Sequence, residues 1–344
     1  MFSLADALAA IILLALTAYV LLGGADFGGG VWDLLASGPR KQRQRDLIAR
    51  AIGPVWEANH VWLILAIVLL FTCFPIVFVR IAIALHVPLT LMLIGIVLRG
   101  SSFVFRSYGG GNGGGGAGRV FAAASLITPV LLGVCVCAVA SGGVETWGRR
   151  SGDFYTLFIL PWLTSFALAV GLFALTCFAF LAAVYLTLES REVELQEDFR
   201  QRALVSGVWV LLMAVLTLAL SPQAPLVAHG LLGARWAMAL HVVTGAAAVT
   251  AFWALWRRRY RIARLAAAAQ VALILWGWGL AQYPYLLPPD VVIGRVAAPR
   301  VTLELALIAV IAGAVVLFPS LYYLLNVFKG QSVARPTTPP LPPQ

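Results

Sequence analysis

The chain has 344 residues, of which 61% are apolar and 11% are charged, and its net charge is +10. An ordinary soluble domain has about 25% charged residues, and a soluble globule of this size could not bury so much apolar surface. The composition therefore predicts a membrane protein, excludes most classes of soluble enzyme, and argues against nucleic acid as a partner of the basic chain.

Nine segments are apolar over the roughly 20 residues that a helix needs to cross a bilayer. The expected fold is an all-α polytopic membrane protein, with one integral membrane domain over 1–330. The Phe74–Pro75 step and Arg80 indicate a tight turn between the second and third spans, and the long fifth span is expected to tilt or to extend past the bilayer. The predicted spans are 7–24, 56–78, 81–104, 120–141, 156–187, 203–221, 236–255, 262–281 and 303–327.

The basic residues predict an orientation. Of the 24 Lys and Arg residues, 18 fall in the connections after odd-numbered spans or in the C-terminal tail. Because Lys and Arg accumulate in cytoplasmic loops, the N-terminus is expected outside and the C-terminus inside. The 6 that follow even-numbered spans are Arg80, Arg149, Arg150, Arg235, Arg295 and Arg300.

Two segments outside the spans have a biased composition. The glycine-rich stretch 108–118 is predicted to be a flexible cytoplasmic linker. It lacks the Gly-Lys-Ser/Thr of a phosphate loop. The proline-rich tail 331–344 is predicted to be disordered.

Cysteine and histidine give weak metal signals. The cysteines lie in apolar spans without a CxxC pair, so we predict that they pack as small hydrophobic residues. His86 and His241 lie inside spans, where histidine can ligate haem or hydrogen-bond across helices. The cysteines are Cys73, Cys135, Cys137 and Cys177.

Two acids lie where an ionisable group is expensive, which makes each a functional candidate. Asp26 lies in the run Gly23-Gly24-Ala25-Asp26-Phe27-Gly28-Gly29-Gly30 near the inner end of the first span. Its glycines permit close helix contact or local unwinding. Glu57 opens the second span, and its predicted position is also on the cytoplasmic side. A buried glutamate favours its protonated form, which suits a group that loads and unloads protons.

The surroundings of Glu57 are unusually polar. Trp56, Asn59 and His60 lie beside it, and His60 shares a helix face with Glu57 at the i,i+3 spacing. The cluster is predicted to conduct protons or contact a quinone. The alternative is an interfacial patch with Trp anchors, in which Glu57 caps its helix.

Arg99 and Arg106 close the third span on roughly one helix face, because they are seven residues apart. They could pair with Asp26 or Glu57, or they could bind lipid phosphates. The residues alone leave both interpretations open.

Taken together, these segments resemble subunit II of the cytochrome bd quinol oxidases. Gly24-Ala25-Asp26-Phe27-Gly28-Gly29-Gly30 is similar to the family's motif at the end of its first helix. Pro54-Val55-Trp56-Glu57-Ala58-Asn59-His60-Val61-Trp62-Leu63 resembles the most specific motif of the set. Phe71–Pro75, Arg99–Arg106 and Gln282-Tyr283-Pro284 match further family segments in the same order.

The resemblance implies a nine-helix protein with two four-helix bundles and one peripheral helix, in the bacterial cytoplasmic (inner) membrane. It implies a homologous subunit I that carries haems b and d, while subunit II carries none, and small accessory single-span subunits are further expected partners. The complex would oxidise quinol and reduce oxygen to water with cytoplasmic protons. Asp26 and Glu57, with Trp56, would line a proton path, supported by Asn59, His60, Arg99 and Arg106. Some members also hold a quinone or lipid in this subunit.

Two positions depart from the family, which often has an acid at the places of Gly23 and Val104. These losses predict a thinner or rerouted proton path. Two other hypotheses remain: a secondary transporter that uses Asp26 and Glu57 as coupling acids, and a haem protein that uses His86 and His241. The odd span number and the lack of a duplicated half argue against the transporter.

Overall fold

The structure, a computed structural model, describes residues 3–108, 116–147 and 151–331. Side chains are described there except at 54–57, 103–108, 116–117, 146–147 and 324–331. The helices of the described part are α1 Leu4–Leu34, α2 Lys41–Cys73, α3 Pro75–Ala84, α4 His86–Tyr108, α5 Gly116–Ala140, α6 Gly143–Trp147, α7 Phe154–Phe158, α8 Ser165–Glu189, α9 Val193–Leu220, α10 Pro225–Gly233, α11 Arg235–Trp256, α12 Tyr260–Gln282, α13 Ile293–Val296 and α14 Arg300–Gln331. Strands β1 Tyr285–Leu287 and β2 Val291–Val292 form an antiparallel hairpin after α12.

The all-α, multi-span fold is confirmed. Seven helices of the described part are long and apolar enough to cross a membrane. Two more spans arise if bent pairs are counted: α2, bent by 46° between Gly53 and Ala58, and α3 with α4, which meet at 84°. The predicted nine spans are reached on that count.

Two four-helix bundles share a long interface. The first contains α1, α2, α4 and α5, and the second contains α8, α9, α11 and α12. Helix α8 packs against both α1 and α5, which joins the bundles. Helix α14 contacts α2 and α1 at the edge, as the peripheral helix of the resemblance should.

The predicted break at the Phe74–Pro75 step is confirmed, but the predicted boundary between the second and third spans near Arg80 is wrong. Helix α2 ends at Cys73, and Pro75 is in the first turn of α3. Proline has no N–H to lose there, and its fixed φ suits a helix start. Arg80 therefore lies inside α3 instead of in a turn, and its guanidinium forms an ion pair with the buried Glu145.

The predicted long fifth span is also wrong, because the segment is divided. The short helix α7 ends at Phe158, and α8 begins at Ser165. Pro161 lies in the gap and favours a break. The Thr164 hydroxyl accepts a hydrogen bond from the Ala167 N–H at 3.1 Å and so caps α8.

The biased segments lie mostly outside the described residues. Helix α4 reaches Tyr108 and α5 begins at Gly116, so both ends of the predicted 108–118 linker are helical, and 109–115 are not described. Of the predicted tail 331–344, Gln331 ends α14 and the rest is not described. The cysteines are buried free thiols, as predicted.

Candidate functional site

The glycine run of α1 serves close packing, since α1 is continuous from Leu4 to Leu34 and does not unwind. A Cβ on Gly28 would collide with the carbonyl of Phe178, and one on Gly30 would collide with the side chain of Ser125. The run therefore lets α8 and α5 approach the α1 backbone around Asp26.

Asp26 and Arg99 form an ion pair in the interior of the first bundle. Arg99 Nη2 lies 2.5 Å from Asp26 Oδ1, and the side chains are 3% and 0% exposed, respectively. Of the three partners that the sequence left open for Arg99, the structure shows Asp26, while the side chain of Glu57 lies outside the described ones. A charge at such a site is tolerated because its partner compensates it.

Arg99 is held by more than this carboxylate. Nη2 also donates to the backbone carbonyl of Asp26 at 2.7 Å, and Nε donates to Ser125 Oγ at 3.1 Å. The guanidinium carbon lies 4.7 Å from the Phe27 ring centre and 5.0 Å from that of Phe121. These contacts hold the guanidinium in addition to its contact with the carboxylate.

Two further polar side chains lie near the pair. Asn59 of α2 is 0% exposed, and its amide has no hydrogen-bond partner in the described part of the chain. The hydroxyl of the buried Tyr19 has none there either. The Tyr19 ring meets the ring of Phe27, the residue after Asp26, edge-on at 6.5 Å.

The structure describes the other predicted site residues only in part. His60 follows Asn59 in α2 and is partly buried. The side chains of Trp56, Glu57 and Arg106 lie outside the described ones. Whether Glu57 faces Asp26 therefore stays a prediction.

Sequence reasoning missed Tyr19 and Ser125. Tyr19 precedes Asp26 by seven residues, which is two helical turns, and Ser125 is a polar residue inside a predicted span. Both residues are recognisable as polar in the sequence, but neither carries a charge. The serine also donates to the Phe121 carbonyl at 2.7 Å, so it links Arg99 to the α5 backbone.

A second polar group missed from the sequence joins α2 and α9 at the end where α1 terminates. Arg40 forms a bidentate bond with Asp198, at 2.9 and 2.6 Å. This bond and the charge of Asp198 raise the pKa of Arg40. Gln44 donates to Asp198 at 2.8 Å and accepts from Arg202 at 2.8 Å. The group ties the bundles together at this end.

The two membrane histidines hydrogen-bond to backbone carbonyls. His86 Nδ1 lies 3.0 Å from the Ile83 carbonyl, and His241 Nε2 lies 2.8 Å from that of Leu231 in α10. Among the residues that the structure describes, His, Cys, Asp and Glu form no group of three or more that could hold a metal ion.

This fold and site define a multi-pass helical membrane protein built around a buried, charged contact between two spans. The chain matches the model of the family described as Cytochrome bd terminal oxidase subunit II over residues 4–328, and it belongs to that family. It is thus subunit II of a bd-type quinol oxidase, an oxidoreductase complex, as the resemblance predicted. These findings support neither the transporter nor a haem protein in its own right, since the family carries its haems in the partner subunit.

Relatives and a solved structure agree. The chain is 24% identical over 324 residues to the putative cytochrome bd menaquinol oxidase subunit II of Bacillus subtilis (strain 168), covering 90% of this chain and 91% of that protein. It is 30% identical over 88 residues to the cytochrome bd ubiquinol oxidase subunit 2 of that strain. This match covers 26% of this chain and 25% of that protein. The bd oxidase structure from Geobacillus thermodenitrificans matches with a TM-score of 0.80 and 24% identity, over 94% of this chain and 98% of that chain, and so shares the fold.

Proposed function

We propose that this chain, as the haem-free subunit II, delivers cytoplasmic protons through Asp26 and Glu57 for the reduction of oxygen to water. Its partner is a homologous subunit I, and both lie in the bacterial inner membrane with the N-terminus of this chain outside. The haems b and d of that partner supply electron transfer from quinol to oxygen. A bound quinone or lipid in this chain and small accessory subunits stay predictions.

The observation that carries the proposal is the buried Asp26–Arg99 pair. A purely structural contact between helices would be more stable as a well-packed apolar pair, because desolvation of two charges offsets much of their attraction. An ionisable carboxylate kept in the interior of a span is therefore better explained by proton transfer.

The geometry allows Asp26 to change its protonation state without losing its partner. Arg99 approaches Oδ1 at ion-pair distance, and neither carboxylate oxygen makes a hydrogen bond in the described part of the chain, so Oδ2 is available to water. When Asp26 takes up a proton, Arg99 keeps its bonds to the Asp26 carbonyl and to Ser125. The guanidinium then stabilises the carboxylate again after the proton leaves.

Asp26 and Glu57 would act in sequence on the cytoplasmic side. The support is their placement by the basic-residue count, which puts the end of α1 and the start of the second span at that surface. Trp56, Asn59, His60 and Arg106 are proposed as supporting residues of the same path, and Arg99 is the partner of Asp26.

Asp26→Asn in the purified complex tests the proposal. We expect quinol-driven oxygen consumption to fall by about two orders of magnitude, the scale of a lost proton-transfer group. Asp6→Asn is the matched control, because Asp6 caps the opposite end of α1 through Ser3. Wild-type turnover in Asp26→Asn would refute a proton role for this acid.

A further inference from the structure

We propose that Tyr19, Gly23 and Asn59 enclose a water-filled pocket that carries protons from Asp26 toward the middle of the membrane. The proposal rests on the proposed proton path and adds the next part of its route. Neither Tyr19 nor Gly23 belongs to the predicted site.

The pocket residues continue the line of the ion pair along α1. Tyr19, Gly23 and Asp26 are spaced i, i+4 and i+7, so they form one stripe on the helix surface. At 1.5 Å per residue, Tyr19 lies about 10 Å from Asp26 along the axis. Tyr19 is also at the midpoint of α1, so the stripe leads from the ion pair into the membrane interior.

Gly23 differs from the other glycines of the run. A Cβ there would lie 3.4 Å from Asn59 Nδ2 and 3.6 Å from the rings of Phe178 and Phe27, which is ordinary contact distance. At Gly28 and Gly30 a Cβ would collide with α8 or α5. Close packing therefore requires glycine at those positions but not at Gly23, where glycine leaves a space the size of one methyl group against the Asn59 amide.

The buried polar atoms of Asn59 and Tyr19 lack hydrogen-bond partners in the described part of the chain. Leaving one buried polar group unpaired costs about 1–3 kcal/mol, and such groups are normally satisfied by ordered water. Asn59 and Tyr19 offer three such atoms, Nδ2, Oδ1 and the hydroxyl, and none has a partner in the described part of the chain. Water in the space at Gly23 would satisfy the Asn59 amide, and the same stripe of α1 carries the Tyr19 hydroxyl and Asp26 Oδ2, which also have no partner in the described part of the chain.

The surroundings confine such water to the stripe. The Phe27 and Phe178 rings stack with centres 6.0 Å apart, and Tyr19 meets Phe27 edge-on at 6.5 Å. A proton leaves Asp26 for a water, which passes one of its own protons to the Tyr19 hydroxyl. Tyr19 releases its original proton to a further water on the far side, so the first water and the tyrosine regain their starting forms. Asp26 is then reprotonated from the cytoplasmic side, and no oxidant or reductant is needed.

Three variants test the pocket in the purified complex: Tyr19→Phe, Asn59→Leu and Gly23→Ala. We expect each to slow quinol-driven oxygen consumption by roughly tenfold and to change its H2O/D2O isotope effect. Tyr19→Phe and Asn59→Leu remove a group that binds the water, and Gly23→Ala fills the space that holds it. Tyr185→Phe and Gly245→Ala are matched controls; Tyr185 is on α8 beside Arg264, and a Cβ at Gly245 meets nothing within 4 Å. Gly23→Ala fits the packing, so its complex should assemble with normal haem content.

Asp26→Asn run in parallel separates this proposal from the path itself. If Asp26→Asn is slow while all three pocket variants match the wild type in rate and isotope effect, the pocket is refuted and the path stands. If Asp26→Asn is also at the wild-type rate, the path is refuted as well. A cryo-EM map of the complex should show water within hydrogen-bonding distance of Tyr19 Oη and Asn59, and a dry contact there would overturn the pocket.

Discussion

Arg99 Nη2 reaches both the side chain and the backbone of Asp26, at 2.5 Å from Oδ1 and 2.7 Å from the carbonyl oxygen. The contact fastens α4 to α1 at the point where glycines bring neighbouring helices closest. The same arrangement gives the bundle a buried polar contact and holds the acid that we propose exchanges protons.

Arg99→Lys should destabilise the complex although it keeps the charge. Lysine cannot reproduce the planar fork that bonds Asp26 and Ser125 or the contacts with the two rings. We expect a loss of about 3 kcal/mol, near the lower end for a broken buried pair, seen as a lower melting temperature in detergent. Arg300→Lys is the control. Arg300 forms an ion pair with Glu304 but its side chain is 88% exposed, so this variant should melt like the wild type.

Gly28→Ala and Gly30→Ala should reduce the yield of assembled complex. The added Cβ meets the Phe178 carbonyl or the Ser125 side chain, and overpacking of this kind typically costs about 1–3 kcal/mol. Gly313→Ala, with open space at the Cβ position, is the matched control. Equal yields of all three variants would show that the glycine run does not set the distance between the helices.

Glu57→Ala should sharply slow oxygen consumption, whereas Glu57→Asp should largely retain it, because aspartate still offers a carboxylate that exchanges protons. The readout is turnover per haem in the purified complex. Unchanged turnover in Glu57→Ala would remove this residue from the path without affecting the case for Asp26.

His86→Ala and His241→Ala should leave the reduced-minus-oxidised optical spectrum of the complex unchanged. Each ring is engaged with a backbone carbonyl, at 3.0 and 2.8 Å. A haem band that disappears in either variant would contradict the assignment of all haems to the partner subunit.

The cap of α7 should depend on pH. The Asp153 carboxylate accepts hydrogen bonds from the backbone and side chain of Thr156, which lowers its pKa below the ordinary value of 3.8. A lowered pKa means that the stabilisation is present above pH 4 and is lost as the pH falls through the folded-state pKa. Intrinsic-rate-corrected hydrogen exchange at Thr156 should accelerate below pH 4 in the wild type and stay fast at every pH in Asp153→Ala.

The span pattern and the charged candidates could be predicted from the sequence because a bilayer makes each polar residue in a span conspicuous. Asp26 and Arg99 were both identified that way. Their pairing could not be, since it depends on how α4 packs against α1, and the residues alone allowed a lipid phosphate as well. Tyr19 and Ser125 carry no charge, so they do not stand out in an apolar span as Asp26 does.

The errors concern breaks within apolar segments. The end of the second span at Cys73 and the division of the fifth span between Phe158 and Ser165 occur where hydropathy stays high. Proline supplies the local signal at Pro75 and Pro161, but proline also occurs within helices here, at Pro129 and Pro319. Packing against neighbouring helices decides which proline ends a helix, and this packing cannot be predicted from the local sequence.

The central claim is that the Asp26–Arg99 pair moves protons and does not only join helices. The most direct test is oxygen consumption per haem in the double variant Asp26→Asn/Arg99→Gln, beside Asp26→Asn. The double variant leaves no uncompensated buried charge, so it should assemble and melt close to the wild type. The account predicts that its turnover nevertheless stays as low as that of Asp26→Asn. Recovery of wild-type turnover together with stability would show that the pair is only structural.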